Sequence, residues 1–253
     1  MTGNNGAGRQ VWLIHGWGLT GAVWQPLTDR LAARCRVTTI DLPGYGDSPD
    51  DGRDFQQTAQ ALADALPNDC VLGGWSLGAL LALQAARLAA GRVAGLMLIG
   101  ATPCFMQRAD WPAGQPSALL DAFAARLAAE PTATLRRFIA LFNQGDDHAR
   151  PITRQMSASL SARSPALAAL RRGLQWLREV DLRQRLTDLD VPTLLVHGEH
   201  DPLNPLAAAH HLSLALPQAR LAVIAGAAHA PFWSNPVLCS QWMADFCDRP
   251  AHH

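Results

Sequence analysis

A chain of 253 residues is the size of one large domain, and 49% apolar against 17% charged residues is the balance of a compact globule, which excludes a disordered chain. Its 21 basic and 21 acidic residues cancel, so no global field draws it to nucleic acid or to an anionic membrane surface. Every basic residue is Arg, which removes lysine Schiff-base chemistry and any phosphate loop that depends on Lys.

Along the chain, short β-type runs alternate with helical stretches. The runs are Val11–His15, Val37–Asp41, Val71–Gly74, Val93–Gly100, Thr193–His197 and Leu221–Ile224, and most are near-continuously apolar, as strands covered on both faces are. Trp24–Arg34, Phe55–Ala65 and Leu77–Leu88 carry apolar residues at helical spacing between them. The alternation predicts a mostly parallel α/β sheet flanked by helices. From about Cys104 to Arg185 no strand pattern occurs. Ser117–Ala129 and Thr134–Phe142 instead show helical stripes, punctuated by Pro112, Pro116, Pro131, Pro151 and Pro165. The expected organisation is a core over residues 1–103 and 186–253, with an all-helical insertion over 104–185 that precedes the strand Thr193–His197.

Gly74-Trp75-Ser76-Leu77-Gly78 lies between the strand at 71 and the helix at 77. A GxSxG turn of this kind holds its Ser in a strained strand-to-helix bend and needs small residues on either side. The order expected on such a sheet is nucleophile, then acid, then His. Asp201 follows the strand Thr193–His197, and His229 follows the strand Leu221–Ile224 in a small-residue loop, so both arrive at the sheet edge that carries Ser76. Glu199 competes as the acid but sits less deep in its loop. His15, His148, His197, His200, His210, His211, His252 and His253 compete as the base, yet none of them both follows the last strand and lies beyond Asp201. His197 and His200 have a spacing of three that could suggest a metal pair, but further ligands are missing and they read as structural. His252 and His253 read as a frayed terminus. Backbone N–H groups of Leu77 and of Trp17, in the loop His15-Gly16-Trp17-Gly18, are the candidate oxyanion donors.

These motifs, with Asp41-Leu42-Pro43-Gly44-Tyr45-Gly46-Asp47-Ser48, resemble the α/β-hydrolase superfamily over nearly the whole chain. A narrower resemblance is carried by HGWGL (15–19) with Trp24, GWSLG (74–78), TPCF (102–105) with Trp111-Pro112, VDLR (180–183), and AAHAPF (227–232) followed by Asn235-Pro236. These are similar to the pimeloyl-[acyl-carrier protein] methyl ester esterases of biotin synthesis. The resemblance implies a serine carboxylesterase that removes methanol from a methyl pimeloyl chain still attached to its acyl-carrier protein. It implies a triad of Ser76, Asp201 and His229, with Trp17 and Leu77 as oxyanion donors. It further implies an acyl channel lined by Phe138, Ile139, Ala140, Leu141 and Phe142, and carrier docking on Arg137, Arg150 and Arg154. Two positions depart from the family pattern. Ala79 stands for a second Gly after the elbow, and Ala133 falls where a further lid arginine is expected, with Arg136 beside it.

Charge agrees with such a partner, because residues 105–185 hold 12 Arg against 7 acids while the rest holds 9 Arg against 14. An acidic carrier docked on a basic lid and solvated helix faces both fit this surplus. The rival functions are a general short-chain esterase, a carbon–carbon bond hydrolase and, from another class, a non-catalytic ligand sensor on the same fold. Cys35, Cys70, Cys104, Cys239 and Cys247 are odd in number and never form a CxxC pair. The first ten residues lack an apolar secretory core, and no window nears about 18 apolar residues. A monomeric, cytoplasmic protein with reduced thiols, no metal and no organic cofactor is the expectation.

Overall fold

The computed structural model describes residues 2–3, 8–89, 91–160 and 164–248. His252 and His253 lie outside them, as does half of the ten-residue segment read for a secretory signal. The chain forms β1 (Thr2–Gly3), β2 (Arg9–Ile14), a 3₁₀ turn (Gly21–Trp24), α1 (Gln25–Leu31), β3 (Cys35–Ile40), α2 (Phe55–Ala65), β4 (Cys70–Trp75), α3 (Leu77–Leu88) and β5 (Val93–Ile99). Next come α4 (Ser117–Leu127), α5 (Pro131–Phe142), α6 (Ala149–Ser159) and α7 (Leu167–Glu179). A second 3₁₀ turn (Arg183–Arg185) leads to β6 (Thr193–Gly198), α8 (Leu206–Ala215), β7 (Ala219–Ile224), α9 (Pro231–Ser234) and α10 (Pro236–Cys247).

The strands form one sheet in the order β1-β3-β2-β4-β5-β6-β7, parallel except for β1, which pairs antiparallel with β3. All six residues of β4 and of β6 are buried, the consequence of helices on both faces of a parallel sheet. Between β5 and β6 the described chain contains four helices and only isolated β-bridges, at Cys104↔Asp181, Met106↔Gln115 and Arg108↔Trp111. Helix α4 packs on α5 and α7, α5 packs on α6, and α6 reaches α9 in the core. One continuous apolar cluster joins the sheet to these helices, with Trp17, Phe138 and Phe142 among its buried members.

Local chemistry explains the helix limits. Asp54 caps α2 by accepting from the Gln57 N–H while the Gln57 side chain accepts from the Asp54 N–H, a reciprocal cap that contributes about 1 kcal/mol. Helix α5 starts earlier than its apolar stripe suggests because Pro131 occupies its first turn, where the missing N–H costs nothing. No described helix is long and apolar enough to cross a membrane.

Candidate active site

Three loops at the carboxyl ends of β4, β6 and β7 meet at one point. Ser76 follows β4 at φ 57° and ψ −116°, a left-handed conformation that a residue with a Cβ holds only under strain. The surroundings impose it: the Ser76 N–H donates to the Ile99 carbonyl at 3.0 Å, and its own carbonyl accepts the Ala79 N–H at 2.9 Å to start α3. The two flanking glycines are sterically required. A Cβ on Gly74 would lie 2.2 Å from the Gly78 oxygen, and one on Gly78 would lie 2.3 Å from the Ile14 oxygen. Leu77 is the first residue of α3, so its N–H is one of those a helix cannot satisfy internally.

Asp201 has no side-chain exposure. Its Oδ1 accepts the N–H groups of Leu203 at 2.9 Å and Asn204 at 2.8 Å, and its Oδ2 lies 2.7 Å from Nδ1 of His229. A carboxylate can only accept, so the Nδ1 proton is on the imidazole and Nε2 is left as an acceptor. Nε2 is buried and has no partner among the described residues. The main chain of His229 is held on both sides: its N–H donates to the Phe142 carbonyl at 3.1 Å and its carbonyl accepts the Trp75 indole N–H at 2.8 Å. Gly100, at φ 49°, passes so close that a Cβ there would lie 2.9 Å from the His229 oxygen.

Of the competitors, Glu199 is half exposed and accepts the Gly226 N–H at 3.2 Å instead of facing His229. His197 is buried, donates from Nε2 to the Asn204 carbonyl at 2.7 Å, and is held neutral because burial lowers its pKa. His200 is exposed and donates from Nδ1 to the Gly145 carbonyl at 3.1 Å. No cluster of three or more His, Cys, Asp or Glu suited to a metal occurs among the described residues. His15 is also buried and neutral: burial pushes its pKa down to about 4, Nε2 accepts the Leu42 N–H at 3.0 Å, and Nδ1 donates to the Gly16 carbonyl at 2.8 Å. It ties the loop after β2 to the loop after β3.

That first loop carries Trp17, whose indole N–H donates to the Leu170 carbonyl of α7 at 2.8 Å. A Cβ on Gly173 of the same helix would lie 2.5 Å from the Trp17 ring, so the small residue is what lets α7 seat there. Phe138 meets Trp17 edge-on at 4.8 Å, Phe142 lies 5.2 Å from Phe138, and Phe142 in turn meets Trp75 at 5.4 Å. The chain of rings reaches the imidazole, Phe142 lying 5.8 Å from His229. Ile139 is buried and Leu141 is half-buried, but Ala140 is exposed on the outer face of α5 and belongs to no inward lining. Arg137, Arg150 and Arg154 are all exposed, Arg137 lying 3.7 Å from Glu130. Among the described residues no carboxylate pairs with Arg136, Arg150 or Arg154.

Sequence reasoning did not find Asn204, which binds the Gly100 carbonyl at 2.6 Å, or Gln115, which binds the Pro202 and Leu203 carbonyls at 3.0 and 2.7 Å. Both brace the acid loop through main-chain partners, and such contacts leave no residue pattern.

Residues 13–242 match the alpha/beta hydrolase family. A protein named pimeloyl-[acyl-carrier protein] methyl ester esterase, from Aromatoleum aromaticum, is 43% identical over 92% of this chain and 96% of its own. Another with that name, from Aeromonas hydrophila, is 43% identical over 91% and 92%. Among solved structures, an esterase from Exiguobacterium antarcticum superposes with a TM-score of 0.87 at 24% identity, over 96% of this chain and 93% of that one. A bromoperoxidase from Bacillus anthracis superposes at 0.88 and 23%, over 98% and 94%. At such identities the two structures speak for the fold alone. The match across nearly the whole sheet and its intervening helices means that the chain belongs to the alpha/beta hydrolase family.

Proposed function

We propose that the protein is a serine carboxylesterase that hydrolyses the methyl ester of a pimeloyl chain carried on acyl-carrier protein, as a step of biotin synthesis. The observations that carry the chemistry are the buried 2.7 Å Asp201–His229 pair, whose Nε2 has no partner among the described residues, and the serine held in strained backbone at the end of β4. The substrate class is supported by the names of the relatives and by the exposed arginines of α5 and α6, of which Arg136, Arg150 and Arg154 pair with no carboxylate among the described residues.

In this reading the Ser76 Oγ attacks the ester carbonyl while Nε2 of His229 takes its proton. The N–H groups of Trp17 and Leu77 hold the oxyanion, assisted by the N-terminal end of α3. The imidazolium then protonates methoxide, methanol leaves, and a water deprotonated by His229 releases the acid and regenerates Ser76. Asp201 holds the tautomer that leaves Nε2 free. Phe138 and Phe142 line the acyl path, with Ile139 and Leu141 behind them. Arg137, Arg150 and Arg154, with Arg136 beside them, face the acidic carrier and its phosphopantetheine. Five buried, unbridged cysteines fit a reducing compartment such as the cytoplasm.

The test compares methyl pimeloyl-carrier with free dimethyl pimelate. Ser76→Ala is expected to lower kcat on both by on the order of 10⁴–10⁶. Changing Arg137, Arg150 and Arg154 together to Ala should raise KM for the carrier substrate about tenfold more than for the free ester. Full activity of Ser76→Ala refutes the mechanism. Equal kinetics on the two substrates, unchanged by the arginine variants, identifies a general esterase instead.

A further inference from the structure

One buried carboxylate has no part in the reaction above. Asp146 lies in the joint between α5 and α6 with no side-chain exposure, and the nearest group able to carry positive charge is the exposed His148, 3.9 Å away. A carboxylate removed from water persists where N–H donors replace its solvation. Its Oδ1 accepts the His148 N–H at 2.8 Å, which turns the chain into α6. That turn needs one oxygen only. The second, Oδ2, accepts the N–H of Ala228 at 2.9 Å, across 82 residues of sequence, and Ala228 directly precedes His229.

The surrounding contacts make a clamp. The Asp147 N–H donates to the Gly226 carbonyl at 2.9 Å, and the His229 N–H donates to the Phe142 carbonyl at 3.1 Å. On the other side, the His200 N–H donates to the Ala227 carbonyl at 2.9 Å. Every residue from 226 to 229 is therefore bonded either to the α5–α6 joint or to the acid loop. Gly226, at φ 67°, allows the approach, because a Cβ there would lie 2.1 Å from Asp147 Oδ2.

We propose that Asp146 is a positioning residue for His229. It fixes the main chain of the base from above while Asp201 fixes the imidazole from below, and it makes the α5–α6 joint part of the catalytic frame. The proposal rests on the reading of His229 as the base. Orientation is where such a bond acts, since a displacement of about 1 Å at the reacting centre can cost about 10²-fold in rate.

The experiment uses the full chain with Asp146→Ala and Asp146→Asn, alongside His229→Asn as a control for the base. Folding is followed by circular dichroism and thermal melting, and turnover is measured on p-nitrophenyl butyrate. Asp146→Ala should lower kcat about 10–100-fold with KM changed less than about twofold. Asp146→Asn, whose amide oxygen can still accept from Ala228, should recover part of that loss. The downfield proton resonance of the His229–Asp201 bond should shift or broaden in Asp146→Ala. Unchanged kcat in both Asp146 variants, or a loss that only follows the unfolded fraction with the resonance unmoved, overturns the positioning role. Should His229→Asn retain activity, the reading of the base itself fails, which is a separate result.

Discussion

Ser76 and His15 show two ways in which a buried polar residue is made to do one thing. Ser76 carries backbone strain on the order of 1–3 kcal/mol, held because its N–H and carbonyl are both committed to regular structure. His15 is held neutral, with its pKa pushed down to about 4 chiefly by burial, against upward pulls from its bond to the Gly16 carbonyl and from Asp41. The unfolded chain binds a proton at His15 below pH 6.5, whereas the folded chain does so only near pH 4. Stability from this group is therefore complete above pH 6.5 and is lost as the pH falls through that interval, by about 3 kcal/mol in all. His197 is shifted in the same direction and adds to the slope. Urea unfolding of His15→Gln, whose amide can donate and accept in place of the ring, should show a flatter dependence on pH across this interval than the parent. An identical slope would mean that other groups carry the acid sensitivity.

Among the elements, the elbow between β4 and α3 is the most tightly specified. Gly78 lies against the Ile14 and His15 carbonyls of the neighbouring strand and loop. Gly78→Ala should cost about 1–3 kcal/mol by forcing α3 away from β2, lower the melting temperature by several degrees, and reduce turnover through displacement of the Leu77 N–H. Calorimetry with an ester assay checks both effects together. This elbow was legible beforehand because strain demands small residues at fixed offsets, and α2 and α3 were legible to the residue because their periodicity starts and stops abruptly. The two-residue strand β1 was not, since two residues hold no period, and its partner Cys35–Ile40 identifies it only in space. Nor did Ala140 separate from its neighbours, because a run of five residues covers more than one full turn of a helix, so at least one must face outward.

For the molecule as a whole, the zero net charge divides into a surplus of Arg over residues 105–185 and an acidic remainder. Several of those arginines are neutralised locally: Arg178 by Asp121, Arg183 by Asp110 and Asp181, and Arg172 by Asp50. Arg150 and Arg154 on α6 pair with no carboxylate among the described residues. If an acidic carrier docks there, kcat/KM on the carrier substrate should fall steeply as salt rises from about 0.01 M to about 0.15 M, since the screening length shrinks from about 30 Å to about 8 Å. Turnover of dimethyl pimelate should stay nearly constant over that range, and a common salt response would remove the electrostatic role. The residues proposed as the triad are read from the order of strands and loops, and the Asp201–His229 contact is what the structure adds to that reading. Asp146 cannot be read that way, because a carboxylate before a helix reads as a cap and its decisive partner lies 82 residues away.

That same joint bears on how the fold could be re-engineered. The helices between β5 and β6 invite treatment as a cassette, to be exchanged for those of a relative in order to change acyl-chain preference. The stretch from Phe142 to Asp147 makes this unsafe, since its main chain and the Asp146 side chain bond the backbone of the loop that ends in His229. A productive chimera would keep this six-residue hinge native, graft only the outward faces of α4 to α7, and treat the hinge and the loop at 226–229 as a single heritable unit.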